Sequence, residues 1–365
     1  MDRVQIELQH IQEYLERRAG AAIQIEEVRP LGAEPTGTSA LKQFAYGRPL
    51  LVRYRAGDQT VQVVFHHIRR NAFGREREDD RVAAIWLDYN TFNRLPRHVP
   101  ALDMVIRTKE GEVRSISSAQ EVLLVTAYLP GRPYAEDLVR IRDEGRARPL
   151  DINRAEVLAG YLAEIHQAKC GEKMLWQRRL RDLVGHGEGI MGLTDSYREG
   201  GPLNEGELRD IEEVANRWRR QLKPLSHRLS QVHGDFHPFN ILFEDELQFH
   251  VLDRSRGEWG EPADDVSCLT INYLFFSLQR SGLLEGSFQV LHDRFWECYL
   301  SLRPDEELPA VIQPWFAWRA LVLASPIWYP TLREEVRCKL LTFARRVLAI
   351  GRYDYHEVNH YLADD

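Results

Sequence analysis

The sequence predicts an α+β protein with two lobes, a small β-rich amino-terminal lobe and a larger, mostly helical carboxy-terminal lobe. Short strand-like apolar segments dominate the chain up to residue 128, and long apolar stripes with helical spacing dominate after residue 133. A Pro/Gly-rich stretch, Leu129-Pro-Gly-Arg-Pro133, separates the two patterns. We therefore expect residues 1–128 to form the first lobe and residues 129–365 the second.

The first lobe is predicted to contain a small antiparallel sheet and one main helix. An amphipathic helix over residues 3–18 precedes the strands. The second and third strands are joined by Ala56-Gly-Asp-Gln59, which is typical of a hairpin turn. A charged and then apolar pattern predicts the main helix over residues 76–93. The strands predicted for this lobe cover residues 22–28, 50–55, 60–65 and 121–128.

The second lobe is predicted to be helical except for one short hairpin. The strands Asn240–Phe243 and Phe249–Leu252 flank the turn Glu244–Gln248. This hairpin returns the chain, so that Asp253 is expected to lie beside the loop that precedes the first strand. The helices predicted for this lobe cover residues 155–167, 204–222, 265–281, 286–303, 313–325 and 331–350.

Composition and charge narrow the class of protein. The 365 residues are 44% apolar and 28% charged, which is ordinary for a soluble globular chain, and a run long enough to span a membrane is missing. The first residues lack the features of a secretory signal, and the four cysteines are scattered, which favours a cytoplasmic protein with reduced thiols and argues against a zinc site. The net charge of −7 gives no general attraction for nucleic acid.

One motif indicates the type of reaction. The segment from His233 to Asn240 reads HGD-x4-N, and a second aspartate, Asp253, follows 13 residues after the asparagine. Phosphoryl transfer requires a carboxylate that accepts or orients a hydroxyl proton, together with oxygen ligands that hold Mg²⁺ against the nucleotide phosphates. The spacing therefore predicts Asp235 as the base, and Asn240 and Asp253 as the metal ligands.

These residues resemble the aminoglycoside phosphotransferase and choline kinase family, a branch of the protein-kinase-like fold. The family's catalytic loop has the form HGDxHxxN, its metal aspartate opens a run like Asp253–Gly260, and its next element matches Gly260-Glu-Pro-Ala-Asp-Asp-Val266. Three elements in the same order and at matching spacing make the resemblance specific. It implies a bilobal protein-kinase-like fold, ATP and Mg²⁺ as cofactors, and a phosphotransferase acting on an alcohol group of a small-molecule acceptor.

The resemblance also implies roles for residues around the loop. His233 is expected to brace the loop, and Asp265 to accept hydrogen bonds from its backbone. His237 is the second catalytic candidate, as a contact to a phosphate, although a structural or solvent-facing role is the alternative. The segment Leu124–Gly131 resembles the strand whose main chain binds adenine, which implicates Tyr128 and Leu129 in nucleotide binding.

The sequence departs from the family at the residue that is expected to contact the phosphates of the nucleotide. The family carries a lysine on its third strand, and here His66 takes that position, with no lysine between Lys42 and Lys109. Lys42, Arg69 and Arg70 are the alternative cations.

The glycine loop is irregular as well, because it lacks GxGxxG. Its Gly37 and Ser39 are the candidates for cradling phosphates through backbone N–H groups and a hydroxyl, and a plain surface loop is the alternative. The family's usual aromatic residue and glycine are replaced by Arg254 and Phe239.

The sequence leaves two functions open. The first is the small-molecule kinase, and the complete set of Asp235, Asn240 and Asp253 favours it. The second is a catalytically weak, nucleotide-binding sensor or partner-binding protein, which the missing third-strand lysine favours. The identity of the acceptor does not follow from the sequence.

Overall fold

The computed structural model describes residues 7–31, 49–94, 98–122, 124, 126–197, 201–254 and 256–363. The chain divides into two compact units, Met1–Thr126 and Ala127–Asp365. The division falls two residues before the boundary predicted from the sequence.

A three-stranded antiparallel sheet in the order β1-β2-β3 organises the first unit. A two-stranded hairpin, β4-β5, was not predicted, because its strands are only three residues long. The elements of this unit are α1 (Leu8–Ala19), β1 (Ile23–Pro30), β2 (Leu50–Ala56), β3 (Gln59–Phe65), α2 (Glu78–Phe92), β4 (Val105–Arg107) and β5 (Val113–Ser115).

The core of the first unit lies between α1 and the sheet. Ile11 and Leu15 of α1 pack in one buried cluster with Val52 of β2 and Val113 of β5. The helix α2 contributes no buried side chain among the described residues. The core of this unit is therefore small, as expected for a three-stranded sheet covered by a short helix.

The strand predicted over residues 121–128 is wrong. None of the described residues in this range lies in a strand, and the side chains of Leu124 and Tyr128 are 89% and 90% exposed. A β-rich, apolar pattern becomes a strand only when a neighbouring strand pairs with its backbone. No described strand pairs with this segment.

The second unit is helical, with two small sheets in the orders β6-β8-β9 and β7-β10. All the helices predicted for this lobe are present. Its helices are α3 (Tyr134–Glu144), α4 (Pro149–Ile165), α5 (Lys173–Gly185), α6 (Ile190–Thr194), α7 (Glu205–Leu222), α8 (Pro262–Ser281), α9 (Gly286–Leu302), α10 (Leu308–Val311), α11 (Gln313–Ala324) and α12 (Glu334–Ala349). Its strands are β6 (Arg132–Pro133), β7 (Ser230–Gln231), β8 (Ile241–Phe243), β9 (Phe249–Val251) and β10 (Trp259–Gly260).

The helix α8 runs through the centre of the second unit's core. Every residue from Pro262 to Leu278 is buried, and α3, α9, α11 and α12 pack around the helix. A helix buried on all sides is expected to be apolar on all sides. Asp264 and Asp265 at its start break this rule, so they require charged or hydrogen-bonding partners inside the protein. No helix among the described residues is long and apolar enough to cross a membrane.

Candidate active site

The predicted hairpin around Asp253 is present and brings two of the candidate metal ligands together. The strands β8 and β9 pair antiparallel, with Ile241 opposite Val251. One step before this pair, the backbone N–H of Leu252 donates to the carbonyl of Asn240 over 2.9 Å. Asp253 therefore follows directly after a residue that is bonded to Asn240.

The backbone of Asp253 adopts an unusual conformation. Its φ is +60°, and it is the one non-glycine residue with positive φ in the described part of the chain. The left-handed region costs an L residue about 1–2 kcal/mol, although aspartate tolerates it better than most residues. Its carboxylate is exposed and makes no ion pair or hydrogen bond with a described residue. Strain of this kind is retained mainly at functional sites, which supports a role for this side chain.

Asp265 braces the catalytic loop through its backbone. Its Oδ2 accepts the N–H of His233 and its Oδ1 accepts the N–H of Gly234, each over 2.7 Å. The ring of His166, directly after α4, adds a third contact, from Nε2 to Oδ2 over 3.1 Å. Complete burial alone would raise the pKa of Asp265, but the bond to His166 and the loop N–H donors outweigh burial and lower it. Asp265 is therefore ionised and holds the loop. Its hydrogen bonds with the loop backbone are of the type predicted for it.

His233 and Asn240 hold the loop from within. The buried His233 accepts the N–H of Asp235 at Nδ1 over 3.2 Å. Asn240 donates from Nδ2 to the carbonyl of Asp235 over 3.1 Å, and its Oδ1 accepts no hydrogen bond from the described residues. His233 thus has a bracing contact, and the oxygen of Asn240 is available as a ligand.

The Asp235 carboxylate is held by two arginines. Its Oδ1 lies 2.7 Å from Nη1 of Arg319 and 2.8 Å from Nη1 of Arg256. Partial burial alone would raise the pKa of Asp235, but the charge of Arg319 and then that of Arg256 outweigh burial and lower the pKa to about 2. The carboxylate is therefore ionised near neutral pH, and its Oδ2 accepts no hydrogen bond from the described residues.

His237 lies beside the second oxygen of Asp235 without bonding to it. Its Nε2 is 3.7 Å from Oδ2 of Asp235, and its Nδ1 accepts the N–H of Phe239 over 3.2 Å. Burial lowers the pKa of His237, and the nearby Asp235 only partly offsets this effect. The ring is therefore neutral near pH 7, with its proton on Nε2. A neutral N–H donor at this position remains compatible with the predicted phosphate contact.

The two departures from the family pattern have different structural consequences. Arg254 donates from Nε and Nη2 to the carbonyl of Val232, over 3.0 and 2.8 Å, and so secures the residue before the catalytic loop. Phe239 is 49% exposed next to the His237 ring. Nothing in the structure explains the aromatic side chain at position 239.

Four charged residues around Asp235 were not predicted from the sequence. Arg319 lies in the otherwise apolar helix α11, and a lone charge in a buried helix is a signal that a partner must be present. Asp264 precedes the recognised Asp265 and is just as buried. Arg179 donates from Nη2 to Asp264 over 2.7 Å, and Arg256 follows Asp253 by three residues.

The predicted nucleotide-binding residues are only partly described. Gly37, Ser39 and Lys42 lie outside the described residues. His66 belongs to the first unit, where it is exposed immediately after β3 ends at Phe65.

Tyr128 and Leu129 belong to the second unit and lie in a segment without regular secondary structure. Their main-chain groups make no hydrogen bond with a described residue. These residues remain predictions for nucleotide binding.

Residues 96–304 match the model of the phosphotransferase enzyme family called APH. The chain belongs to this family. The match covers more than half of the chain and includes the whole catalytic loop, the hairpin and Asp265. The membership confirms the predicted family, which is a phosphotransferase family, and the protein-kinase-like α+β fold class.

Solved structures of kinases with related folds are only distantly similar to this family member. A glucosamine kinase in complex with glucosamine, ADP and inorganic phosphate is 16% identical over 56% of this chain and 57% of its own, with a TM-score of 0.37. An amicoumacin kinase bound to AMP-PNP and Ca²⁺ is 12% identical over 85% and 89%, with a TM-score of 0.40. The choline kinase LicA from Streptococcus pneumoniae is 10% identical over 93% and 99%, with a TM-score of 0.35.

The match to the glucosamine kinase structures thus spans less than two thirds of their length. Among curated proteins, no match to this chain reaches significance.

Proposed function

We propose that this phosphotransferase moves the γ-phosphoryl group of ATP to a hydroxyl group of a small molecule in a Mg²⁺-dependent reaction. The observation that carries the proposal is the state of Asp235. Its carboxylate is ionised, one oxygen is fixed by two arginines, and the other oxygen has no donor among the described residues. An acceptor hydroxyl supplies the donor that Oδ2 lacks.

The low pKa of Asp235 defines what this residue contributes. A carboxylate with a pKa of about 2 is a weak base. In the loose transition state of phosphoryl transfer, the hydroxyl proton leaves late, so that a strong base is not required. Asp235 therefore acts mainly by orienting the hydroxyl oxygen toward the phosphorus, and it receives the proton once the new P–O bond has formed.

Asn240 and Asp253 fit a magnesium ion. Mg²⁺ prefers oxygen ligands and is usually bound by one or two carboxylates, waters and substrate phosphates. The exposed carboxylate of Asp253 and the amide oxygen of Asn240 are such ligands. No cluster of three or more His, Cys, Asp or Glu side chains suited to a metal lies within the described residues. When bound, Mg²⁺ neutralises charge on the phosphates.

We also propose nucleotide binding for the residues that the family resemblance implicates. The unbonded main-chain groups of Tyr128 and Leu129 are suited to the adenine edge, which requires one donor and one acceptor. Gly37, Ser39, Lys42 and His66 are proposed for the phosphates. We propose that phosphoryl transfer takes place in the second unit, at Asp235.

A catalytically weak, nucleotide-binding protein is the second candidate. One observation favours it, since β3 carries no lysine and its end is followed by an exposed histidine. Such a protein would bind ATP without transferring phosphate, and it would act through a partner or as a sensor.

One assay separates the two candidates. The protein is incubated with ATP, Mg²⁺ and a panel of hydroxylated metabolites, and ADP release is recorded beside nucleotide binding measured by thermal shift. Asp235→Asn serves as the matched control, because it keeps the size of the side chain and removes its charge. ADP release that depends on one acceptor and is lost in the control supports the kinase. Nucleotide binding without acceptor-dependent ADP release supports the second candidate.

A further inference from the structure

The Arg319 side chain is a buried cation inside an apolar helix. It is 5% exposed in α11, between Trp318 and Ala320. Its guanidinium group lies 4.0 Å above the centre of the Trp318 ring. Removing a guanidinium from water costs several kcal/mol unless charged partners replace the water, so the partners of Arg319 identify its role.

Those partners belong to the catalytic loop and to the central helix. Nη1 donates to Oδ1 of Asp235 over 2.7 Å, and Nη2 donates to the carbonyl of Gly234 over 3.0 Å. Nη2 also donates to Oδ1 of Asp264 over 2.6 Å. One rigid group therefore holds the side chain of Asp235, the backbone before it and a carboxylate of α8 at the same time.

Asp264 is fixed in turn from its other oxygen. Arg179 of α5 donates from Nη2 to Oδ2 of Asp264 over 2.7 Å, and from Nη1 to the carbonyl of Arg256 over 3.0 Å. Asp264 is completely buried. The sequence of contacts Arg179–Asp264–Arg319–Asp235 thus links three core helices to the loop that carries the reacting carboxylate.

We propose that Arg319 is the positioning residue of phosphoryl transfer: anchored by Asp264, it occupies Oδ1 of Asp235 and leaves Oδ2 facing the acceptor hydroxyl. This inference rests on the proposed function. The planar guanidinium presents several N–H groups in a fixed fork, which allows three acceptors to be held at once, whereas the ammonium group of a lysine is a single point of charge. Arg319 transfers no proton itself and acts through Asp235.

A merely structural arginine would give a different result from a positioning arginine. Arg228 is the matched control, because it is equally buried and bridges the carboxylates of Glu261 and Asp305, but it makes no described contact with Asp235. Loss of either arginine is expected to lower stability. Only loss of Arg319 is expected to lower kcat in the fraction of protein that remains folded.

The test is a double-mutant cycle on the full chain, with kcat and KM measured for Arg319→Gln, Arg228→Gln, Asp235→Asn and the double variant Asp235→Asn with Arg319→Gln. We expect Arg319→Gln to lower kcat by about 10²-fold, the scale of a reacting group displaced by about 1 Å, with little change in the KM for ATP. In the Asp235→Asn background the same substitution should cost less than about 3-fold, because residues that act as a unit are non-additive. Arg228→Gln should change kcat little.

The outcomes separate the inference from the function on which it rests. If the parent releases no ADP with any acceptor, the proposed function fails, and the positioning role fails with it. Two results with an active parent would show that only the positioning role is wrong. In the first, Arg319→Gln has the kcat of the parent. In the second, the losses in kcat from Arg319→Gln and Asp235→Asn multiply in the double variant. Should Arg319→Gln show no melting transition, Arg319→Lys replaces it in the cycle, with an expected loss in kcat of about 10-fold that is again non-additive with Asp235→Asn.

Discussion

The left-handed backbone of Asp253 allows the metal-binding role proposed for this residue to be tested apart from its effect on stability. At φ +60° an alanine is strained by about 1–2 kcal/mol, whereas a glycine adopts this conformation without a steric cost. Glycine also increases the entropy of the unfolded chain, which lowers stability by about 0.4–1 kcal/mol. The Asp253→Gly variant should therefore be more stable than Asp253→Ala by about 1 kcal/mol.

Both substitutions remove the same carboxylate, so they should be equal in function while they differ in stability. Urea unfolding measures the free energy of unfolding of each variant, and a thermal melt should show a difference of about 2–4 °C for a unit of this size. Titration calorimetry with ATP, in MgCl₂ and in EDTA, measures the binding that depends on the metal. We expect both variants to lose this binding.

Two results would refute the reasoning on Asp253. Equal stability of the glycine and alanine variants would show that residue 253 does not hold the left-handed conformation in solution. MgATP binding by Asp253→Gly at the parent's affinity would remove Asp253 from the set of metal ligands. Asn240→Ala is the companion variant, and it should weaken MgATP binding without abolishing it, because Asn240 supplies one neutral oxygen.

Three further predictions follow from individual residues. Asp235→Asn should lower kcat by about 10²–10⁴-fold while ATP affinity stays near that of the parent, and unchanged turnover would exclude Asp235 from the reaction. Arg228 and Arg303 outweigh burial and lower the pKa of Asp305 to about 2, so Asp305 should contribute about 2 kcal/mol of stability above pH 4. That contribution is lost as the pH falls from 4 to 2, and urea unfolding of the parent and Asp305→Asn should converge over this range. Lys42→Met should weaken ATP binding by about 1–3 kcal/mol if Lys42 replaces the third-strand lysine. If Lys42→Met leaves ATP binding unchanged and His66→Ala weakens ATP binding more at lower pH, the contact to the phosphates is made by His66.

The hairpin was predictable because its signals are local. The apolar runs on either side of a polar turn predict β8 and β9 from neighbouring residues alone, and the register then places Asp253 next to Leu252, which is bonded to Asn240. The bracing role of Asp265 was predicted from the resemblance of its segment to the family's motif, because its contact with His233 spans 32 positions and no local pattern indicates it.

The residues that the sequence did not reveal depend on contacts between distant segments. Arg319 meets Asp235 across 84 positions, and Arg179 meets Asp264 across 85. No pattern within a window of one helix indicates which carboxylate neutralises such an arginine. The same reason explains why α3 and α5 were not predicted. Their charged residues break the apolar stripe. The structure pairs Asp137 with Arg154, 17 positions away, and Arg179 with Asp264, 85 positions away.

The wrong strand over residues 121–128 shows the opposite failure. Its composition satisfies every local preference for a β-strand, with Val122 and Leu124 among apolar neighbours. The free energy of a strand, however, comes from pairing and burial, which its own sequence does not provide.

The two bonds from the catalytic loop to Asp265 have a consequence for the motions of this enzyme. The amides of His233 and Gly234 donate to a carboxylate that is completely buried at the start of α8. To expose these amides to water, the start of a helix in the centre of the core must open. Their hydrogens should therefore exchange with deuterium only through global unfolding, as slowly as those of α8 itself. The amides of Tyr128 and Leu129 make no hydrogen bond with a described residue and should exchange within seconds. If these residues bind nucleotide as proposed, their segment opens on a faster timescale than the catalytic loop.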